Sequence, residues 1–317
     1  MATANASLWD LGGLSWKELL KRVWNEANKD DIWGRAAQLS YYFLLALFPL
    51  LLVLMAIFGI FAEKGTELRD NLISYLSQVM PASAGELVQK TVDELNNSAG
   101  AGKISIGLVA TLWAASNGMG AISETLNIAY NIKESRSWWK IRLVAINLTI
   151  ALSLLIVAAL VLLLYGSEIA KAIAAQAGLS KVFTVTWNIS QWPIVLFFTL
   201  LSFNLIYYFA PDLKKEKWEW ITPGAAVGVA LWLLVSFAFK TYLKYFNSYS
   251  ATYGSLGALI IMMLWFYFTG LTILIGGEVN AEIEDAEAKA EKSEAKIDKA
   301  TDEGKRKRAK GRKSERA

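Results

Sequence analysis

LVAINLTIALSLLIVAALVLLL, residues 143–164, is a run of 22 residues without one Asp, Glu, Lys or Arg. A helix rises about 1.5 Å per residue, so about 20 such residues cross a hydrocarbon core of about 30 Å. Five more stretches of 18 residues or longer share the property: 39–61, 104–123, 192–209, 221–239 and 256–277. Backbone groups in lipid need partners within the segment, and a helix supplies them. The expected fold is all-α, a polytopic membrane protein of six transmembrane helices.

The composition fits that reading and removes much chemistry. The 317 residues are 55% hydrophobic, and none is Cys or His. Disulfides, thiol catalysis, histidine metal sites and histidine relays are therefore excluded. The net charge of +4 is unevenly spread, because eight basic residues and one acid fall in 305–316. The first 14 residues carry no basic segment, and no cleavable leader is expected.

Lys and Arg alternate in density along the chain. Counting the segment before the first stretch, those after the second and fourth, and the tail gives 24, against 8 in the other three loops. The positive-inside rule then puts both termini in the cytoplasm. Trp33, Trp138, Trp139, Trp218 and Trp220 fall near the inner boundary, with Trp187 and Trp192 near the outer one. The organisation expected is a cytoplasmic segment 1–37, a membrane domain 38–280 and a charged tail 281–317.

Ser15 with Glu18 reads as a capping box opening a helix. Trp16, Leu19, Leu20, Val23, Trp24 and Ala27 follow at helical spacing, with Lys17, Lys21 and Arg22 off that stripe. An amphipathic helix on the inner membrane surface and a helix packed under the bundle fit this pattern equally. Two apolar stripes within 63–103 suggest an external helical hairpin, either a structural cap or a lid. After residue 278 the sequence is rich in Ala, Glu and Lys without an evident apolar stripe, so a solvated helix grading into disorder is expected. The basic run at 305–316 suits an inner-leaflet anchor on anionic lipid, with nucleic acid disfavoured.

The chain resembles a known family. The first stretch lies in AAQLSYYFLLALFPL (36–50), the fifth-to-sixth connection reads YFNSYSATYGSLGA (245–258), and the sixth ends GGEVNAE (276–282). With 113–130, Ala210-Pro211 and 220–224, these residues resemble the YihY/virulence factor BrkB family. The resemblance implies six-span bacterial inner-membrane proteins whose activity is not settled at family level. Some members carry an older ribonuclease label, and others are described as exporters or linked to envelope lipids.

Three constellations could carry function. In the second stretch, Ser116, Asn117, Gly118 and Gly120 form either a weakened helix lining a translocation path or a site of close packing. Asn204 in the fourth lies at a comparable depth. Gln38, Ser40, Glu124, Asn127, Arg142, Glu278 and Asn280 gather at the inner ends, as a polar vestibule or around an Arg142–Glu124 pair. Lys240, Lys244 and Tyr253 near the outer connection are candidate contacts for an anion, or simply end a helix and a turn. No catalytic residue, cofactor or metal is expected.

The leading function is a transporter or exporter of a solute or amphiphile. A scaffold acting through its tails on protein partners is the alternative. A ribonuclease is the least favoured reading, for want of histidine or a metal-binding carboxylate cluster. Proton coupling is disfavoured, because carriers of that kind place a carboxylate or histidine inside the membrane and the six stretches have none.

Overall fold

The computed structural model describes residues 8–61, 101–177, 181–213, 218–245 and 255–314. Among the described residues, a short 3-10 turn, Leu8–Gly13, precedes seven helices. These are α1 Trp16–Lys29, α2 Ile32–Phe61, α3 Ala101–Ala129, α4 Trp138–Ala177, α5 Lys181–Phe209, α6 Pro223–Tyr245 and α7 Ser255–Ser314. The described residues hold no strand. Of the hairpin expected over 63–103, residues up to 100 lie outside the described set, and 101–103 open α3.

Among the described residues, four helical segments are long and apolar enough to cross a membrane: Trp138–Leu163, Val182–Phe209, Pro223–Leu243 and Leu259–Ser293. The remaining two apolar stretches lie on α2 and α3, helices of 30 and 29 residues. The chain is a membrane protein. α2 packs on α3, α3 on α4, α4 on α5, α5 on α6 and α6 on α7, and α7 returns to α2. Chain order is thus ring order, and the six long helices close on themselves. Leu39, Leu126, Leu148, Phe203, Tyr207, Val229 and Leu274 are buried where they meet.

Three helices outrun their apolar stretches by more than two turns. Residues 165–177 and 181–191 are helical, so α4 and α5 continue past the end of the third stretch and begin before the fourth. α7 is a single helix of 60 residues, about 90 Å long at 1.5 Å per residue. Its first turns beyond the apolar stretch are not solvated as expected. Val279, Ile283 and Ala286 are buried there, at helical spacing. The stripe escapes notice because Glu278, Glu282 and Asp285 alternate with it.

That stripe is where the N-terminal segment docks. Ser15 caps α1, its hydroxyl accepting the Glu18 N–H at 3.3 Å. Leu19 and Val23 pack with Leu11, Val279 and Ile283 into a small second core. Trp16, Leu20 and Trp24, on the adjacent edge of α1, are exposed. The sequence stripe is therefore two stripes, one against the bundle and one facing outward. Gly12, at φ +58, lets the 3-10 turn lie flat on α7, because a Cβ there would sit 2.8 Å from the Ile283 carbonyl oxygen.

Candidate functional site

The α1 end of the bundle is wired by polar groups between elements distant in sequence. The loop joining α3 to α4 presents Arg136 to the end of α5. Its guanidinium donates to the carbonyls of Ala210 at 2.8 Å and Phe209 at 3.4 Å, acceptors that a helix C-terminus leaves bare. Ser123 also donates to the Ala210 carbonyl. Glu134 anchors Arg136 at 2.7 Å, and Asn127 donates to Glu134 at 2.9 Å while accepting the Asp212 N–H at 2.8 Å. Bonding to Arg136 holds the Glu134 carboxyl down to about 2. Hydrogen bonds from Ser135 likewise lower Asp212. Every donor in this cluster meets an acceptor, so its chemistry is that of a staple.

A second staple starts α6. Thr222 accepts the Ala225 N–H at 3.1 Å, Pro223 occupies the first helical position, and Asn280 of α7 accepts the Gly224 N–H at 2.8 Å. Asn280 also donates to the Thr222 hydroxyl at 3.1 Å. The helices touch backbone to backbone here. A Cβ on Gly276 would lie 2.6 Å from the Gly224 carbonyl oxygen and collide with the Tyr207 hydroxyl. Tyr207 is buried and donates to the Ile273 carbonyl at 2.9 Å. The 3-10 turn adds a third clasp, with Leu8 N–H on Glu219 at 3.0 Å and Trp9 on the Ile221 carbonyl at 2.9 Å.

Within this bonded region Glu278 stands apart. It is 1% exposed, yet neither carboxylate oxygen has a hydrogen-bond partner. Among the described residues it is the one carboxylate with both oxygens buried and bare. An ionised carboxylate in that state costs several kcal/mol. Its charged neighbours are Glu26 and Lys29 of α1, Asp30 in the turn to α2, and Glu282 one helical turn along α7. Glu282 lines a cavity of about 410 Å³ with Arg22, Glu26, Lys29, Tyr130 and Asp285. Lys29 binds Glu26 at 2.7 Å, and Arg22 reaches Glu282 at 4.0 Å. Burial, aided by Glu26, pushes the Asp30 carboxyl up. The field around Glu278 is thus acidic on balance.

The structure scatters the other candidate residues. α3 runs unbroken through Ser116, Asn117, Gly118 and Gly120. Ser116 is buried with its hydroxyl on the Trp113 carbonyl at 2.8 Å, and Gly118 packs against Ala46 and Phe43. Asn117 is exposed on the bundle surface and accepts from Arg142 at 2.8 Å. It does not meet Asn204, which is buried and bonds to the Glu219 carbonyl. The Arg142–Glu124 pair does not form. Arg142 lies 4.0 Å over the Trp113 ring and bonds to its carbonyl, while Glu124 is exposed. Gln38 is exposed and Ser40 is bonded within its own helix at 2.7 Å. The vestibule set therefore divides: Glu278 and Asn280 are in the core, Asn127 is in the Arg136 staple, and Gln38, Glu124 and Arg142 are elsewhere. Lys240 is exposed on α6, one turn before Lys244, and Tyr253 lies outside the described residues.

Sequence reasoning missed Arg136, which it used only as a charge for orientation. It also missed Tyr207 and the Gly224–Gly276 contact. The glycines lie within quoted motifs, but nothing in one sequence says which helices they bring together.

A family model for virulence factor BrkB matches residues 23–300. The chain belongs to the virulence factor BrkB family. Among its relatives, a Bacillus subtilis protein named ribonuclease-like, YfkH, is 37% identical over 83% of this chain and 94% of its own length. A UPF0761 membrane protein of Aggregatibacter aphrophilus is 26% identical over 88% of this chain and 96% of its own length. Another, from Vibrio parahaemolyticus, is 29% identical over 86% of this chain and 82% of its own length. No solved structure matches the chain. The family match spans the Arg136 staple, the glycine junction and Glu278.

Proposed function

We propose that this BrkB-family chain is a six-span protein of the bacterial inner membrane, both termini cytoplasmic, that transports a solute or amphiphile. The observation that supports it is Glu278. A packed bundle gains nothing from a buried carboxylate with two bare oxygens, and the cost of several kcal/mol suits a functional group. Ionisable groups held inside membrane domains at such cost mark ion or substrate pathways. Glu278 also lies one helical turn from a polar cavity that, in this orientation, opens to the cytoplasm. Trp16, Leu20 and Trp24 then face the inner leaflet, with Lys17 and Lys21 beside them for anionic headgroups.

The close contact at Gly224, Gly276 and Tyr207 favours a second reading, a rigid scaffold that presents α1 and the tail of α7 to protein partners. Water access separates the two. The chain has no cysteine, so Leu274→Cys, one turn beyond Glu278, and Ser116→Cys, in the middle of α3, each report alone. A membrane-impermeant thiol reagent is applied to intact cells and to inverted vesicles. Transport predicts labelling at Leu274 in vesicles and at Ser116 from at least one face. A dry bundle, unlabelled at both positions from both faces, would leave the scaffold.

A further inference from the structure

The objection to proton coupling was that the six charge-free stretches contain no carboxylate. The sixth ends at Gly277, and Glu278, within the membrane domain 38–280, reads from the sequence as a polar residue at its inner end. The structure buries that residue, Glu278, within the bundle end, beside the glycine junction of α6 and α7. The objection is thereby removed.

We propose that Glu278 is a proton-binding site, loaded and unloaded through the cavity between α1 and α7, and that a proton is the coupling ion of the transport reading, on which this second half rests. Three features carry it. First, no donor reaches either oxygen of Glu278, so the site as built suits the neutral acid, whose burial costs far less than that of the anion. Second, its charged neighbours are defined. Glu26 and Lys29 face it from α1, Asp30 from the α1–α2 turn, and Glu282 from its own helix. Three acids against one lysine disfavour a further negative charge. Lys29 is already engaged with Glu26 at 2.7 Å.

Third, a metal cation fits poorly. A hard cation needs about six oxygen ligands, and among the described residues no three acidic side chains gather closely enough to hold one. A proton needs one oxygen. Its route is short: the cavity is lined by Glu282, which lies four residues from Glu278 on the same face of α7. The step is a simple proton transfer, in which the Glu278 carboxylate gains a proton from hydronium in the cavity, leaving water, or from the Glu282 carboxyl, leaving its carboxylate.

The test needs no substrate. The full chain in lipid nanodiscs is examined by infrared difference spectroscopy as the buffer is stepped between about pH 5 and about pH 9. The expected result is a buried carboxylic-acid carbonyl band that falls as pH rises, is absent from Glu278→Gln and is indifferent to exchange of sodium for potassium. Glu278→Asp should keep a titrating band at a displaced frequency, which preserves the test if the Gln variant misfolds. An unchanged band in Glu278→Gln would overturn the proposal. So would a band that follows sodium rather than pH. A titrating band with Leu274→Cys never labelled leaves the proton site and removes transport. Labelling without the band leaves transport and removes the proton.

Discussion

Replacing Gly276 with Ala tests the helix junction on which the site rests. The added Cβ would stand 2.6 Å from the Gly224 carbonyl oxygen, against an ordinary carbon–oxygen contact of about 3.4 Å, so α6 and α7 must part by nearly 1 Å. The same Cβ collides with the Tyr207 hydroxyl, which must give up its bond to the Ile273 carbonyl. Overpacking costs about 1–3 kcal/mol and the lost buried hydrogen bond about 1 kcal/mol more, so the variant should lose about 2–4 kcal/mol. Denaturant titration in mixed micelles, followed by tryptophan fluorescence, measures it. Tyr207→Phe alone should cost about 1 kcal/mol. Combined with Gly276→Ala it removes the colliding oxygen, so the pair should be less destabilised than the sum by about 1 kcal/mol. Wild-type stability in Gly276→Ala, or strict additivity in the pair, would refute the junction.

Other consequences are as direct. Asn280→Ala leaves the buried Gly224 N–H without a partner and removes one of the two donors to the Thr222 hydroxyl, and should cost about 2–3 kcal/mol in the same titration. Glu134 is lowered from its ordinary 4.5 to about 2, so its staple contributes above pH 4.5 and is lost as pH falls toward 2. Melting temperature should decline through that window in wild type and be flatter in Glu134→Gln. Truncation after Ser293 should leave α1 docked, whereas truncation after Asn280 removes Ile283 and Ala286 from under it. Limited trypsin digestion should then cut at Lys21 and Arg22 only in the shorter chain.

The apolar stretches were legible because lipid demands long charge-free helices, and all six coincide with helix. Less legible were the ends, where composition changes but structure does not. The helix of α4 runs on through Glu168 and Lys171, which read as loop by charge alone. Ile283 is buried among acids, so a stripe of three apolar residues passed for a solvated face. The stripe on α1 was visible, but one sequence does not show that its two edges meet different partners. Glu278 and Asn280 were recognised as polar residues at a helix end, yet only the ring closure of α7 onto α2 and α6 shows them to be interior. Arg142 illustrates the converse. Its charge suggested a carboxylate partner, and it found instead an aromatic face, the Trp113 carbonyl and the Asn117 amide oxygen.

Whether water reaches Glu278 from the cytoplasmic side decides between the two readings, and Glu278→Cys measures that directly. In inverted vesicles an impermeant thiol reagent should label it, more slowly than a Lys289→Cys control at the mouth of the cavity, and in intact cells it should not label. Labelling in intact cells would contradict the orientation. No labelling in inverted vesicles, with the Lys289→Cys control reacting, would contradict the site itself.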